Sequence, residues 1–377
     1  MNKGTQLIGL MTCPHGGVKL GRVLSQRLFM PLCLLLSLSL FTDFAFAVQV
    51  PELYIAEVPV ESQQNADRLR AAKTGLGNVV VRISGAREAL TNSWIKIALD
   101  NPDKYLKQFR FIVSKSFDAT EQRVRLNFDA ELVDQLLRDA GLPIWGVNRP
   151  NLLVWLVQEE GSNRDIIGAD DKSGLKQAIA EQALIRGLPL LFPLMDLEDK
   201  VTLSTVDAWG LFQDRLERAS LRYNAEAILA GKVYPNAQGE WTGRWLFIFN
   251  GQTLSFDAQT KRLEDLPVEV INRVADYLAN YYAINTSASL KDRVKVVVKG
   301  VNSTEDYARA STYLAKFAAV RDVFISQVDG DQLFLDLVTE GQQGQLRQAI
   351  ALDNKLVPEP SLIGVDGRDI LVFRWQP

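Results

Sequence analysis

Alternating apolar and polar residues predict the half-buried strands of this chain. Residues 123–128 and 241–249 both alternate in this way. Asn250-Gly251 follows the second run and is a strong signal for a hairpin turn. Residues 152–157 instead form an unbroken apolar run, which is typical of a strand covered on both faces.

Apolar residues that recur every three or four positions predict the helices. Gly141 and Pro143 mark the end of a helix at 130–139, because glycine favours a left-handed cap and proline prevents continuation. Ser204 and Asp207 form an N-cap pair that opens another helix. Further helices are predicted at 65–74, 175–186, 266–282, 303–318 and 342–352, and further strands at 53–58, 78–84, 109–116, 188–192, 227–233, 253–256, 293–298, 322–328, 331–338 and 370–374. A short strand is also predicted between the helix at 342–352 and the strand at 370–374.

These elements predict an α+β fold built from several small mixed α/β domains. Small and polar residues indicate a linker at 285–290, and a linker-like polar loop is expected at 159–171. The predicted domains are an N-terminal α+β domain at 48–149, a middle α/β domain at 150–284 and a C-terminal domain at 291–377. The last has the element order of a ferredoxin-like βαββαβ fold.

Residues 1–47 are predicted to be a cleaved signal peptide. Four basic residues precede an apolar run at 28–41, and Ala45-Phe46-Ala47 has the small-x-small pattern of a cleavage site. The alternatives are an uncut membrane anchor and a lipid anchor at Cys33. The run is shorter than the roughly 20 apolar residues of a spanning helix, and the residues before Cys33 do not form a lipobox. We therefore expect a periplasmic protein, cut between Ala47 and Val48.

Removal of the signal peptide removes Cys13, His15 and Cys33, which are all the cysteines and the histidine of the chain. Disulfides, zinc sites built on these residues and imidazole-dependent nucleophiles are then excluded. Four of 42 basic residues and one of 45 acidic residues are also lost, which leaves a net charge of −6. Without a basic block, nucleic acid is not expected as a partner.

Short motifs give little support for an enzyme. Two Ser-x-x-Lys patterns, Ser93–Lys96 and Ser173–Lys176, and Lys73-Thr74-Gly75 superficially match the penicillin-recognising enzymes. In those enzymes the Lys-Thr-Gly motif lies on a strand well after the nucleophile, whereas here it comes first and ends a predicted helix. Acidic clusters at 159–160, 170–171 and 196–199 lack the spacing of a calcium loop. We expect no cofactor, no metal and no catalytic residues.

Five tryptophans have two interpretations, core packing or a platform for a glycan. They are Trp145, Trp155, Trp209, Trp241 and Trp245. Their positions on apolar faces favour core packing. Arg149 lies between the first two and is expected to stack on a ring or to cap a local element.

Three stretches resemble the uncharacterised secreted proteins called the domain of unknown function 2066 family. They are Val79–Gly85 (VVVRISG), Gly141–Pro150 (GLPIWGVNRP) and Gly187–Asp196 (GLPLLFPLMD). The resemblance implies an envelope location and supplies no mechanism or catalytic residue. Residues 225–251 are similar, at the level of fold, to the TolB amino-terminal domain and the curli-secretion subunit, which bind proteins.

We therefore expect a non-enzymatic interaction or adaptor protein that binds another protein of the cell envelope. The alternative is a binding protein for a glycan or peptidoglycan fragment. The candidate partner-binding residues are Arg293, Lys295 and Lys299, which alternate with valines and form a cationic strip suited to an acidic partner. The same residues also suit the solvent face of a helix-covered sheet. No membrane span is expected after residue 47.

The exported protein is expected to begin at Val48, because Ala45-x-Ala47 is the only cleavage pattern after the apolar run. Intact-mass measurement of protein purified from the periplasm checks this. A mass that retains residues 1–47, or that carries a diacylglycerol on Cys33, would contradict it.

Overall fold

The computed structural model describes residues 52–116, 119–283, 292–340, 343–352, 355–364 and 369–376. They belong to one compact unit, and each predicted segment contains one of its three sheets. The expected α+β fold class is confirmed. The signal peptide, its cleavage site at Ala47 and Val48, and the linker at 285–290 lie outside the described residues. Among the described helices, none is both long and apolar enough to cross a bilayer.

The N-terminal module has a three-stranded antiparallel sheet of order β1-β3-β2. Its strands are β1 Ile55–Pro59, β2 Leu106–Ser116 and β3 Ala119–Phe128, and its helices are α1 Asn65–Ser84, α2 Ser93–Asp100 and α3 Ala130–Asp139. Helix α1 packs on the sheet through Gly75, where an added Cβ would lie 2.6 Å from Leu126 Cδ1 and 3.3 Å from Ala56 Cβ. The glycine therefore sets how closely helix and sheet approach.

The strand predicted at 78–84 is wrong, because these residues complete α1. Val79, Val80 and Ile83 are fully buried in the core of the module. A run of β-branched residues favours a strand in isolation, but burial on the concave side of a sheet overrides that propensity. Helix α1 ends at Gly85, whose φ of 71° is left-handed.

The middle module is a three-layer structure around a sheet of order β5-β4-β7-β8-β9, with β6 paired to β4. The strands are β4 Leu152–Glu160, β5 Asn163–Ile167, β6 Leu190–Leu191, β7 Ala227–Pro235, β8 Trp241–Phe249 and β9 Gln252–Thr260. Helices α4 Gly174–Arg186 and α8 Leu266–Tyr282 contribute to the core on one face. Helices α6 Thr205–Gly210 and α7 Gln213–Ser220 contribute to the core on the other face, and α5 Leu197–Thr202 lies next to α7.

Two expectations for this module need correction. The linker-like loop at 159–171 contains strand β5, which pairs antiparallel with β4 from Leu156 to Glu160. The helix that opens at Ser204 is not continuous, because Leu211 has a φ of 54° and separates α6 from α7. Ser204 does cap α6, since its side chain accepts a hydrogen bond from the Asp207 backbone N–H.

The C-terminal module follows the predicted order of strands and helices, with two strands after its second helix. Its elements are β10 Asp292–Lys299, α9 Thr304–Ala315, β11 Val320–Asp329, β12 Gln332–Thr339, α10 Gln343–Ala351, β13 Leu356–Ile363 and β14 Asp369–Trp375. The sheet order is β11-β12-β10-β14-β13, and β14 runs parallel to β10. A fifth strand therefore extends the ferredoxin-like pattern. The continuous apolar runs Val296–Val298 and Leu371–Phe373 are buried, as expected for central strands.

Substitutions at two glycines of α1 test the close approach of helix and sheet. Gly75→Ala is expected to be less stable than Gly77→Ala by about 1–3 kcal/mol. Both variants gain the same helix propensity, but a Cβ at Gly77 meets its nearest neighbour, Leu90 Cδ2, at an ordinary 3.5 Å. Urea unfolding followed by circular dichroism measures the difference. Equal stabilities would show that Leu126 moves aside without cost.

Candidate functional site

The guanidinium of Arg149 lies in the connection between the N-terminal and middle modules and is 2 % exposed. Its Nε donates to Gly146 O at 3.1 Å, and Nη1 donates to Arg186 O at 2.8 Å and Gly187 O at 3.2 Å. Nη2 donates to Arg82 O at 2.8 Å and Trp145 O at 3.0 Å. All five N–H groups of the guanidinium are thus used, and every acceptor is a backbone carbonyl.

These carbonyls belong in part to the ends of two helices. Arg82 lies in the last turn of α1, and Arg186 and Gly187 end α4. The last carbonyls of a helix have no partner within the helix and carry partial negative charge. One positive guanidinium therefore satisfies two helix ends at once. The guanidinium of Arg149 also lies over the ring of Trp145, 4.1 Å from its centroid. Arg149 therefore both stacks on a ring and caps helix ends, which are the two roles expected from the sequence.

Two further arginines are buried beside Arg149. Arg82 donates to the carbonyls of Leu53, Ile55 and Ile185, and burial lowers its pKa to about 10. Arg186 donates to Asn272 and Gly85 and pairs with Asp276 at 2.8 Å. Burial also lowers the pKa of Arg149, and the neighbouring positive charge of Arg82 adds to the effect.

The three stretches that carry the sequence resemblance meet at this point. Val79–Gly85 supplies Arg82, Gly141–Pro150 supplies Trp145 and Arg149, and the third stretch begins with Gly187. A Cβ at Gly187 would lie 2.7 Å from Arg149 Nη1, and its φ of 67° also favours glycine. Because the Arg149 guanidinium is buried and all its donors are used, these motifs stabilise the packing of the N-terminal and middle modules.

A cavity of about 300 Å³ lies where the three modules meet. Its walls come from the start of β1, the segment 145–148, the end of α8, the end of α9 and α10. Five aromatic residues form most of the lining: Tyr54, Trp145, Tyr282, Tyr313 and Phe317. Asn148 and Lys316 are the other polar side chains of the lining.

The polar groups of the residues that line the cavity differ in whether they have a hydrogen-bond partner. Tyr54 donates to Asp134 at 2.7 Å, and burial followed by the Asp134 charge raises the pKa of Tyr54. Burial likewise raises the pKa of Tyr282. The indole N–H of Trp145 is buried without an acceptor among the described residues.

A second feature is a group of exposed large apolar residues in the segment that forms the three short helices of the middle module. Leu197 and Val201 are one helical turn apart on α5 and are both 79 % exposed. Val206 lies on α6, whereas Leu194, Phe212 and Leu221 lie next to the helices, and each is more than half exposed. We call these six residues the apolar helical surface.

A buried carboxylate holds this layer in place. Asp199, which is 1 % exposed, accepts hydrogen bonds from Met195 N at 2.8 Å, Tyr223 Oη at 2.5 Å and Arg222 Nη1 at 3.1 Å. Burial and the hydrogen bond to Asp199 raise the pKa of Tyr223 to about 12. Met195 also has a φ of 54°, which is rare for a residue other than glycine. The predicted solvated acidic cluster at 196–199 is therefore partly structural.

The structure places the candidate partner-binding residues on the face of the C-terminal sheet opposite α9 and α10. Arg293 and Lys295 are exposed, and Lys295 is the cross-strand neighbour of Asp336. Lys299 is half-buried and pairs with Glu359 at 2.9 Å. The strip therefore includes acidic neighbours that the alternation in β10 alone did not reveal.

The hydrolase-like motifs have structural roles. Ser173 caps α4 by accepting from the Lys176 N–H, and Lys176 Nζ donates to the carbonyls of Ala169 and Asp171. Lys73 pairs with Asp100 at 2.9 Å, and Gly75 packs against the sheet. In the described part of the chain, no group of three or more acidic, histidine or cysteine side chains is placed to hold a metal ion.

The tryptophans proposed for a glycan platform lie mainly in cores. Trp145, Trp155 and Trp245 are each 1 % exposed, and Trp209 and Trp241 are half-buried. The ring of Trp209 is covered by Arg164, 3.9 Å from its centroid. Core packing therefore describes these residues better than an exposed platform does.

Comparison with known proteins gives a family for the N-terminal module alone. Residues 47–146 match a family described as a domain of unknown function, DUF8605. No functionally curated protein matches the chain. An allophanate hydrolase of Kluyveromyces lactis shares 11 % identity at a TM-score of 0.18, with 68 % of this chain and 62 % of that chain covered. A urea amidolyase of K. lactis also shares 11 % identity at a TM-score of 0.18, with 67 % of this chain and 23 % of that chain covered. TM-scores this low do not indicate a shared fold.

Replacement of the central guanidinium should destabilise the whole compact unit. Arg149→Met is expected to cost about 3–5 kcal/mol, because it leaves five buried carbonyl contacts unmade. Arg87→Met is the control, since Arg87 is exposed and its ion pair with Asp276 should contribute at most about 1 kcal/mol. Urea unfolding measures both. A cost below 1 kcal/mol for Arg149→Met would contradict the role assigned to this residue.

Proposed function

We propose that this protein is a non-enzymatic periplasmic adaptor that binds another protein of the cell envelope through the apolar helical surface. The observation that carries the proposal is the exposure of six large apolar side chains along the segment that forms three short helices. Their backbone is fixed by the Asp199 network. A rigid apolar surface loses little conformational entropy on binding, which favours association with a folded partner.

The charge of this layer favours a protein partner over a lipid surface. Residues 194–224 contain six acidic and four basic residues, a net charge of −2. Peripheral membrane helices instead carry lysine and arginine around their apolar face, because these attract anionic headgroups. An acidic apolar layer is better matched by a partner with an apolar centre and basic rim.

The cationic strip at Arg293, Lys295 and Lys299 is proposed as a second contact for an acidic region of a partner. Its exposed members are Arg293 and Lys295. The proposed periplasmic location rests on the leader-like residues 1–47 and on the resemblance to the domain of unknown function 2066 family. The fold-level similarity to the TolB amino-terminal domain supports a binding role in the same way.

A double substitution of the apolar helical surface tests the proposal. Leu197→Gln with Val201→Gln is expected to abolish photo-crosslinking of an envelope protein in living cells, with the crosslinker at Val206. Both residues are so exposed that stability should change by less than about 0.5 kcal/mol each. Melting temperature and periplasmic level are measured alongside. Charge reversal of Arg293 and Lys295 in a separate variant shows whether the strip contributes.

Ile363→Gln is the matched control, because Ile363 is also 79 % exposed but lies on β13 of the C-terminal module. It should leave the crosslinked product unchanged. An unchanged product in the Leu197→Gln, Val201→Gln variant would refute docking on this surface. Flotation of the purified protein with anionic phospholipid vesicles, lost in the double variant, would instead identify the surface as membrane-binding.

A further inference from the structure

We infer that the cavity between the three modules is a binding site for a small carboxylate with a planar apolar body. This site is distinct from the apolar helical surface and does not depend on the proposed docking function. Two observations carry the inference: the aromatic lining of the cavity and one ammonium group at its wall.

The size and lining of the cavity define the body of the ligand. A volume of about 300 Å³ is at the lower end of the range for small-molecule sites, roughly 300–1,000 Å³. Five aromatic rings surround it. Aromatic side chains prefer edge-to-face and offset contacts with another ring, so a flat ring system suits this lining better than a flexible chain does.

The polar groups define the other end of the ligand. Lys316 is the charged residue of the lining, and its ammonium forms no ion pair within the described part of the chain. A carboxylate supplies the negative charge that Lys316 lacks, while the ring of Trp145 contributes to the apolar lining.

The surrounding structure preforms the site. Trp145 is held between the cavity and the guanidinium of Arg149, whose donors are all engaged. Tyr54 is fixed by its bond to Asp134. On the opposite wall, Ala318 packs against the cores of both the N-terminal and the C-terminal modules, and a Cβ at Gly146 would lie 3.4 Å from Ala318 Cβ. A site with fixed walls binds without a large ordering cost.

A neighbouring groove provides the matched control. It is lined by residues of α9, Lys355 and Trp375, and it shares Tyr313 and Lys316 with the cavity. Arg309 in this groove pairs with Glu305, whereas Lys355 lies over the Tyr313 ring, 5.6 Å from its centroid. Lys355 thus adds positive charge near the site without lining the cavity.

Calorimetric titration of the purified protein with 2-naphthoate, and with 2-naphthamide as its uncharged analogue, tests the inference. We expect naphthoate to bind at one site and naphthamide to bind at least about tenfold more weakly. Lys316→Gln should weaken naphthoate binding by at least about tenfold, whereas Lys355→Gln should change it by less than about threefold. Ala318→Leu, which fills the cavity without changing charge, should abolish binding.

Melting temperatures of the variants show that each is folded, and Lys316 is exposed enough that its substitution should leave stability unchanged. Absence of naphthoate binding to the unaltered protein at millimolar concentration would overturn the inference. Equal losses of naphthoate affinity in Lys316→Gln and Lys355→Gln would overturn the inference too, since they would indicate a general effect of positive charge. So would undiminished binding to Ala318→Leu, which would place the ligand elsewhere.

Discussion

The buried guanidinium of Arg149 is the interaction on which the arrangement of the N-terminal and middle modules depends. Burying a charge is costly unless each of its donors is satisfied, and here backbone carbonyls satisfy all five. Those carbonyls come from α1, the connecting segment and α4. The three elements must therefore be in place together, because displacing any one leaves both a buried donor and a helix end without a partner.

The packing around Arg149 also fixes the position of Trp145, which lines the cavity. The connecting segment is held on one side by Arg149 and contacts α10 on the other, where Asn148 Nδ2 donates to Ala349 O at 3.4 Å. Arg138 pairs with Glu340 at 3.3 Å and adds a further contact between the N-terminal and C-terminal modules. The cavity thus exists because three modules pack around one rigid segment, rather than because any module contains a pocket of its own.

Much of the fold could be predicted from local pattern, and the failures have physical causes. Strand 241–249 and helices 130–139 and 266–282 have the predicted bounds, because their periodicity and caps agree with their burial. The prediction for residues 78–84 failed because tertiary packing overrides β-branched propensity. The helix predicted to open at Ser204 is interrupted because Leu211 has a left-handed conformation, which its residue type does not predict. The cavity could not be predicted at all, since its lining comes from five separate stretches of the chain.

The sequence motifs mark the part of the molecule where packing is most constrained. Val79–Gly85, Gly141–Pro150 and Gly187 converge on the buried guanidinium of Arg149, so their distinctive glycines and arginines are explained by packing and capping. The proposed binding sites lie mostly outside these motifs, although Gly141–Pro150 also supplies part of the cavity wall. Leu197 and Val201 illustrate the point, because apolar residues at helical spacing predict a core-facing stripe, and exposure became evident only from the position of α5 in the fold. For a chain of this kind, function has to be sought where side chains are left without partners, and motif strength indicates mainly where the architecture is most constrained.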